Sequence, residues 1–354
     1  MNSLLRQMEE KGRALLARKI PTWAKCEGII LGTPISLEQC SSEDTARLKA
    51  TLVHGKRLVD LTGGYGVDCY FMSRQFESTV YVEQNTELVA IARSNFNALG
   101  ADIEVHNADS AAYLDTMPTV DCIFLDPARR NRQGCKVVSL SECTPNVVAL
   151  HDNLLAHCHT LLLKLSPAHD IEEALRLLPE TTDVYVVGVK GECKELLLKV
   201  SSEELAHSEP LIHCMGKREL LAFRPTEERT APVHYQMPDK YLYEPDATLL
   251  KAGAFKLVAT HYSIDKLHPN SHLYTSSRLI DTFPGRRFAI LDCLKAGDKA
   301  LKLLGKANLT VRNFPASVAD LRKKWKLAEG GDTYLFATTL CNGEHRILVC
   351  QKTA

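Results

Sequence analysis

The sequence predicts an α/β fold: a doubly wound, mostly parallel sheet with a helical segment before it and a small α+β region after it. Two observations support this prediction. From residue 57 onward, short apolar runs of strand length alternate with helical patterns, as in parallel sheets whose strands are joined by helices. A glycine-rich turn directly follows the first apolar run, at the position where doubly wound sheets bind their ligands.

Seven apolar runs have the length of strands. They lie at 57–61, 79–83, 102–106, 121–125, 160–165, 183–189 and 195–200. Helical patterns separate most of them, for example at 86–99 and 171–178. Residues 190–194 are too few for a crossover helix, so the last two strands are predicted to be antiparallel. We therefore expect six parallel strands and a reversed seventh.

The flanking regions are predicted to fold differently from the sheet. Residues 1–56 read as a helical N-terminal extension, broken by Pro21 and Pro34, in which Ser41 or Ser42 caps a helix ending near Leu52. The sheet domain is predicted at 57–237, with its core at 57–200. Residues 283–354 read as an α+β module. Its strands are predicted at 287–291, 308–311, 333–339 and 346–350, and its helices at 296–304 and 318–325.

The charge of the chain is balanced overall but unevenly distributed. The sequence has 43 Lys and Arg against 43 Asp and Glu, yet residues 283–354 contain 13 basic and 6 acidic residues. A basic terminal module on an otherwise acidic chain favours a nucleic-acid partner. A solvated basic surface without any ligand is the alternative.

Composition argues against several other classes of protein. The twelve cysteines are scattered singly with no CxxC pair, which favours reduced thiols in a cytoplasmic protein. No run approaches the ~20 apolar residues of a membrane span. His151, His157, Cys158 and His159 are close in sequence, but no second ligand pair accompanies them, so no metal site is predicted.

The clearest motif is the acid-ended strand and glycine turn DLTGGYG at 60–66. Glycines let a backbone bend tightly and approach a ligand closely. A dinucleotide fingerprint would need a third glycine at Cys69, and an acid at Asp60 would repel a pyrophosphate. A carboxylate instead suits a cofactor with a cationic amino group, as in S-adenosylmethionine. The residues predicted to bind it here are Asp60, Thr62, Gly63, Gly64 and Gly66.

Two further acids end the next strands. Glu83 ends the second strand, where a carboxylate can accept hydrogen bonds from ribose hydroxyls. Asp109 and Ser110 follow the third strand and are predicted to lie beside the adenine. Acids at the ends of successive strands, with the glycine turn among them, predict one cofactor site.

The fourth strand supplies the predicted reaction end, LDPARR at 125–130. Asp126, Pro127 and Arg129 are the predicted catalytic residues, and Arg130 is predicted to bind RNA. Proline fixes the local backbone, and the Asp126 carboxylate can accept a hydrogen bond from a substrate amine. Methyl transfer is an in-line displacement that depends mainly on positioning, so a separate strong base is optional.

These motifs resemble the successive motifs of class I methyltransferases, and the fourth resembles the D-P-P-Y type of nucleic-acid amino-methyltransferases. The segments DLTGGYGVD, YVEQN, FLDPARR, LKLSPAHDI and GECKELL together resemble a bacterial methyltransferase group. In that group a ferredoxin-like segment and a THUMP-like domain follow the catalytic domain. The resemblance implies a Rossmann-like seven-stranded sheet, a ferredoxin-like segment at 238–282 and a THUMP-like domain at 283–354. THUMP domains bind RNA, which implies rRNA or tRNA as the partner.

One position departs from the amino-methyltransferase pattern. Where an aromatic residue normally stacks on the flipped base, this chain has Arg129, preceded by Ala128. A guanidinium plane can stack on a base or bind a phosphate. The methylated atom, an exocyclic amine or a ring nitrogen, therefore stays open.

The segment RKKWK at 322–326 combines cations with one indole. Arg322, Lys323, Lys324 and Lys326 can neutralise phosphates, and Trp325 can stack on a base. Helical spacing equally allows Trp325 to be the core anchor of the helix.

The function predicted from these observations is S-adenosylmethionine-dependent methylation of RNA. A second alternative is a small-molecule methyltransferase. It would use the same chemistry, and the C-terminal module would be a structural cover. A third alternative is a non-catalytic RNA-binding protein with a methyltransferase fold.

Overall fold

A computed structural model describes residues 3–128, 139–201 and 209–353. The chain divides into two compact units. The first comprises Met1–Tyr185 and Glu195–Pro210, and the second comprises Val186–Lys194 and Leu211–Ala354.

The first unit contains most of a doubly wound sheet whose strand order begins β3-β2-β1-β4-β5-β7-β6; residues 186–194, at the turn between β6 and β7, are counted with the second unit. Its strands are β1 Gly55–Asp60, β2 Phe76–Glu83, β3 Glu104–Asn107, β4 Val120–Leu125, β5 Cys158–Leu165, β6 Thr181–Val189 and β7 Glu192–Ser201. Strands β3, β2, β1, β4 and β5 pair in parallel, whereas β7 is antiparallel to β5. The predicted α/β fold with a reversed seventh strand is confirmed.

Helices precede the sheet and connect its strands. They are α1 Ser3–Lys19, α2 Pro21–Ala24, α3 Pro34–Gln39, α4 Glu43–Leu52, α5 Val67–Met72, α6 Thr86–Ala98, α7 Ser110–Leu114, α8 Val147–Ala156 and α9 Ile171–Leu177. The Ser42 hydroxyl accepts a hydrogen bond from the Thr45 backbone N–H and caps α4, as predicted. Pro21 and Pro34 each begin a helix, because proline at the first helical position sacrifices no backbone hydrogen bond.

The N-terminal helices share a hydrophobic core with the sheet. Trp23 is fully buried, and its ring lies 5.5 Å from the rings of both Tyr65 and Tyr70, which flank the start of α5. Leu16 and Ile20 belong to the same cluster. Burial of several large apolar side chains, at roughly 1.5–3 kcal/mol each, fixes these helices against the turn that follows β1.

The second unit contains a hairpin and a seven-stranded sheet. Its strands are β8 Leu211–Met215, β9 Glu219–Phe223, β10 Tyr241–Pro245, β11 Asp265–Lys266, β12 Tyr274–Ser276, β13 Gly285–Leu294, β14 Asn308–Arg312, β15 Thr333–Thr339 and β16 His345–Lys352. Strands β8 and β9 pair antiparallel. The order of the seven-stranded sheet is β11-β12-β10-β13-β16-β15-β14, and β14–β15 is its parallel pair.

The five helices of this unit are α10 Pro225–Thr230, α11 Ala247–Ala252, α12 Phe255–Tyr262, α13 Ala300–Leu303 and α14 Val318–Trp325. The helix predicted at 296–304 is therefore shorter than expected. Before it, Asp298 accepts a hydrogen bond from the Ala300 backbone N–H, and the N-cap residue is Lys299. Within the described residues, no helix has the length and apolar character needed to cross a membrane.

Alternating side chains along the sheet of the second unit fill two separate cores. Leu335 and Ala337 of β15 pack in a cluster with Trp325 and Leu321 of α14. Phe336, between them in sequence, packs in the other cluster with Leu242 of β10. Because β10 pairs with β13, the regions predicted at 238–282 and 283–354 contribute strands to one sheet.

Candidate active site

In the turn between β1 and α5, the backbone packs closely against aromatic side chains at two glycine positions. A Cβ on Gly63 would lie 2.1 Å from the Tyr81 ring, whose hydroxyl donates to the Gly64 carbonyl oxygen at 2.6 Å. Gly66 has a φ of +88°, and a Cβ there would lie 2.8 Å from Phe96. The turn therefore depends on glycine both for space and for backbone conformation.

Three strand ends are tied to this turn by hydrogen bonds. The Glu83 carboxylate at the end of β2 accepts from the Gly64 N–H at 3.0 Å. The Ser110 hydroxyl, after β3, donates to the Leu61 carbonyl oxygen at 2.7 Å. The Asp126 backbone N–H, after β4, donates to the Thr62 hydroxyl oxygen at 2.7 Å. The structure thus brings the predicted positions at all four strand ends to one edge of the sheet.

Asp109 has a structural contact of its own. Its Oδ1 accepts hydrogen bonds from the backbone N–H groups of Ala111 and Ala112 at 3.0 and 3.1 Å and caps α7. One carboxylate oxygen is thus used within the protein, and Oδ2 is available for a ligand. Pro127 is buried directly after Asp126.

Asp60 is the most buried carboxylate of the set, with 1% of its surface exposed. Burial raises the pKa of Asp60 well above its usual range, and the negative charges of Asp68, Asp126 and Glu83 raise it further. A hydrogen bond from the Thr62 N–H at 2.9 Å opposes this shift. Because several carboxylates face one another here, a ligand with a positive charge would stabilise their ionised forms.

Asp126 lies at the more open part of the site, with 39% of its side chain exposed. The Lys164 ammonium, near the end of β5, lies 2.5 Å from its Oδ2. Sequence reasoning missed Lys164. The available signal was a single lysine inside the otherwise apolar run LLLKL, since a charge in a buried strand requires a partner.

Arg129 and Arg130 lie outside the described residues, so their predicted roles stay predictions. In the second unit the Trp325 side chain is 1% exposed, and its Nε1 donates to the Ala296 carbonyl oxygen. This position corrects the prediction that Trp325 stacks on RNA, because the indole is a core anchor of α14. Lys323, Lys324 and Lys326 are exposed, and Arg322 is partly exposed.

The fold and the arrangement of strand ends define a class I methyltransferase. The chain is 34% identical to a protein from Porphyromonas gingivalis W83 described as a "putative methyltransferase"; the match covers 98% of this chain and 90% of that one, with a TM-score of 0.87. The chain belongs to the same family, a bacterial methyltransferase group with ferredoxin-like and THUMP-like parts.

Three family models match parts of the chain. Residues 45–153 match conserved hypothetical protein 95, residues 241–284 match a ferredoxin-like domain, and residues 285–352 match a THUMP-like domain. Among curated proteins, none matches the chain.

Two other solved structures resemble about half of the chain. TrmK from M. capricolum, in complex with S-adenosylhomocysteine, is 8% identical, with coverage of 46% of this chain and 71% of that one and a TM-score of 0.35. An rRNA methylase from Streptococcus thermophilus is 10% identical, with coverage of 44% and 93% and a TM-score of 0.32.

The described residues fit S-adenosylmethionine by their chemistry. Asp60 and Glu83 are carboxylates at the ends of the paired strands β1 and β2, beside the glycine turn. A donor with an ammonium group and ribose hydroxyls offers a positive charge and hydrogen-bond donors that match these carboxylates.

Proposed function

We propose that this protein transfers a methyl group from S-adenosylmethionine to RNA, at an exocyclic or ring nitrogen of a base. The observation that supports the proposal most strongly is the junction of four strand ends, where Glu83, Ser110 and Asp126 are each hydrogen-bonded to the glycine turn or its flank. Side chains and strand ends held in this way need little rearrangement when a ligand binds, which lowers the cost of binding.

Each residue of the junction has a distinct role in the proposal. Asp60 and Glu83 hold the amino and ribose groups of the cofactor, and Asp109 lies beside its adenine. Bound S-adenosylmethionine supplies a methyl group activated by a cationic sulfur. Asp126 accepts a hydrogen bond from the substrate amine and orients its nitrogen, and alignment of this kind can contribute roughly 7–11 kcal/mol to lowering a barrier.

RNA is the proposed substrate because of the second unit. Residues 285–352 match a THUMP-like domain, and the exposed cations Lys323, Lys324 and Lys326 lie at the end of α14. Lysines on one helix neutralise backbone phosphates without regard to base sequence. We also place the protein in the cytoplasm, in keeping with twelve cysteines that are scattered singly with no CxxC pair.

The test uses purified protein, radiolabelled S-adenosylmethionine and total RNA from a strain that lacks the protein. Label is expected in one RNA species, and Asp126→Ala should abolish it while cofactor binding persists. Binding of that RNA should weaken steeply between about 50 and 200 mM salt. Absence of label from every RNA, with labelling of small molecules in a cell extract, would replace RNA by a small-molecule substrate.

A further inference from the structure

Five charged side chains of the first unit alternate in sign along a continuous path. Lys49 Nζ lies 2.5 Å from Glu195 Oε1 and 3.2 Å from Asp68 Oδ1. Lys164 Nζ lies 3.6 Å from Asp68 Oδ2 and 2.5 Å from Asp126 Oδ2. The path joins α4, α5, β7 and β5 to the strand end at which Asp126 is found.

The path runs from the interior to the active site. The Lys49 and Glu195 side chains are 0% and 5% exposed, and those of Lys164 and Asp68 are 12% and 11% exposed. Asp126 is the member that is substantially exposed. The two lysines are thus enclosed, and the far end of the path presents one carboxylate to ligands.

The N-terminal helices complete the path through a hydroxyl group. Ser41, between α3 and α4, is buried. Its hydroxyl donates to Asp68 Oδ2 at 2.7 Å and accepts from Lys164 Nζ at 3.2 Å. The residues before the sheet therefore help to fix the Lys164 ammonium, in addition to the hydrophobic contacts of Trp23.

Stability alone is a weak reason for such a path. Buried ion pairs cost desolvation free energy that their attraction barely repays, and well-packed apolar side chains often stabilise a fold equally well. Buried charges next to a cleft instead cluster at functional sites, where they set the charge and orientation of a reacting group. Here the exposed group at the end of the path is Asp126.

We propose that Lys164 is a positioning residue: its ammonium holds Oδ2 of Asp126 so that Oδ1 faces the substrate amine, and Ser41 and Lys49 hold Lys164 and Asp68 in place. This inference rests on the proposed function, since Asp126 is the group that orients the nucleophile. The active site thereby includes residues of the N-terminal helices.

The charges around Lys164 keep it an ammonium. Burial alone would lower the pKa of Lys164, but Asp126, Asp68 and Glu195 outweigh that effect and raise it. Lys19 is a like charge that interacts with Lys164, and its pKa is lowered by its own burial and by the charge of Lys164. Lys164 therefore acts as a fixed hydrogen-bond donor and not as a base.

The experiment compares the wild-type protein with Lys164→Met and Lys164→Arg. The control is Lys56→Met, which alters an exposed lysine near the start of β1, at the end of that strand away from Asp60. In Lys164→Met we expect kcat to fall about 100-fold, as for a misplaced reacting group. The cofactor Kd and the KM for RNA should change less than about threefold, because the lost interaction orients the amine in the transition state and contributes little to ground-state binding. Lys164→Arg should restore part of kcat, and Lys56→Met should match wild type.

A crystal structure of Lys164→Met provides a second readout that does not need activity. The Asp126 carboxylate should leave its wild-type position, whereas Glu83 and Asp60 should keep theirs. An unmoved Asp126, or an unchanged kcat, overturns the inference. If wild type labels no RNA, the proposed function fails, and the position of Asp126 still decides the role of Lys164. Should Lys164→Met fail to fold, Ser41→Ala replaces it in both measurements, with a smaller effect in the same direction.

Discussion

The hydroxyl oxygen of Thr62 accepts a hydrogen bond from the backbone N–H of Asp126 at 2.7 Å. Thr62 belongs to the glycine turn after β1, and Asp126 directly follows β4, so one bond joins the predicted cofactor end of the site to its predicted reaction end. Thr62 Oγ1 thus keeps the strand-end backbone paired where Asp126 leaves the sheet.

Thr62→Val should remove the hydrogen bond that joins the glycine turn to the backbone of Asp126. The variant leaves the Asp126 N–H without its acceptor, a loss of about 1–3 kcal/mol for a buried group, and we expect kcat for methyl transfer to fall about 10-fold or more. Thr62→Ser should retain the bond and most of the activity. The control is Thr51→Val, an exposed threonine whose hydroxyl bonds only within α4. Equal activities of Thr62→Val and wild type would contradict the role of this bond.

Gly63→Ala should disrupt the turn much more than Gly64→Ala. The added methyl at 63 overlaps the buried Tyr81 ring, and such overpacking costs about 1–3 kcal/mol or more. At Gly64, with φ of +53°, an added Cβ would lie 3.7 Å from the Thr62 carbonyl oxygen, an ordinary contact, and the cost is about 1 kcal/mol of backbone strain. Urea unfolding and cofactor titration measure both effects, and similar stabilities for the two variants would argue against the close packing of this turn.

Lys49→Met should strongly destabilise the first unit. It leaves the buried Glu195 carboxylate without its ammonium partner and removes one of the two ammonium groups beside Asp68, and removing one member of a buried pair costs about 3–5 kcal/mol. Adding Glu195→Gln to this variant should recover part of the loss. The matched control is Arg13→Met, whose partner Glu9 is exposed, with an expected change below about 1 kcal/mol. Unfolding in urea gives the comparison, and equal losses for Lys49 and Arg13 would contradict it.

Asp60→Asn should stabilise the cofactor-free protein increasingly as the pH rises. An acid whose pKa is raised on folding binds more protons in the folded state than in the unfolded state. Its contribution to stability therefore falls as the pH rises above about 4, the pKa of the acid in the unfolded chain. The neutral variant lacks this penalty. We expect the melting-temperature difference between variant and wild type to grow from pH 5 to pH 8, together with weaker cofactor binding. Asp102→Asn, at an exposed carboxylate, is the control, and a difference that shrinks with pH would refute the argument.

Replacing Lys323, Lys324 and Lys326 together by glutamine should weaken RNA binding in a salt-dependent way. Each lost phosphate contact lowers the slope of log K against log salt by about 0.7–0.9, so a reduction of up to about 2–3 is expected. Filter binding at several salt concentrations measures the slope. Three exposed lysines of the first unit, Lys11, Lys25 and Lys56, replaced in the same way, should leave it unchanged. An unaltered slope in the first variant would remove α14 from the RNA-binding surface.

Sequence patterns were sufficient for the parallel sheet with its reversed seventh strand and for the positions of the residues that follow strands directly. Apolar runs of strand length and their acidic ends are local features, and a parallel sheet brings the carboxyl ends of its strands to one edge. Asp60, Glu83 and Asp126 could therefore be placed together from the sequence. The helix at 296–304 was predicted too long because periodicity does not reveal where a helix begins, here at Ala300.

What the sequence by itself determined is the class of fold and the set of strand-end residues, since both follow from local hydrophobic spacing and turn chemistry. Tertiary structure alone decided which distant charges meet. Lys49 and Glu195 are 146 residues apart, and no local pattern pairs them. It also decided that Trp325 faces the core, because helical spacing defines a face but not what covers it.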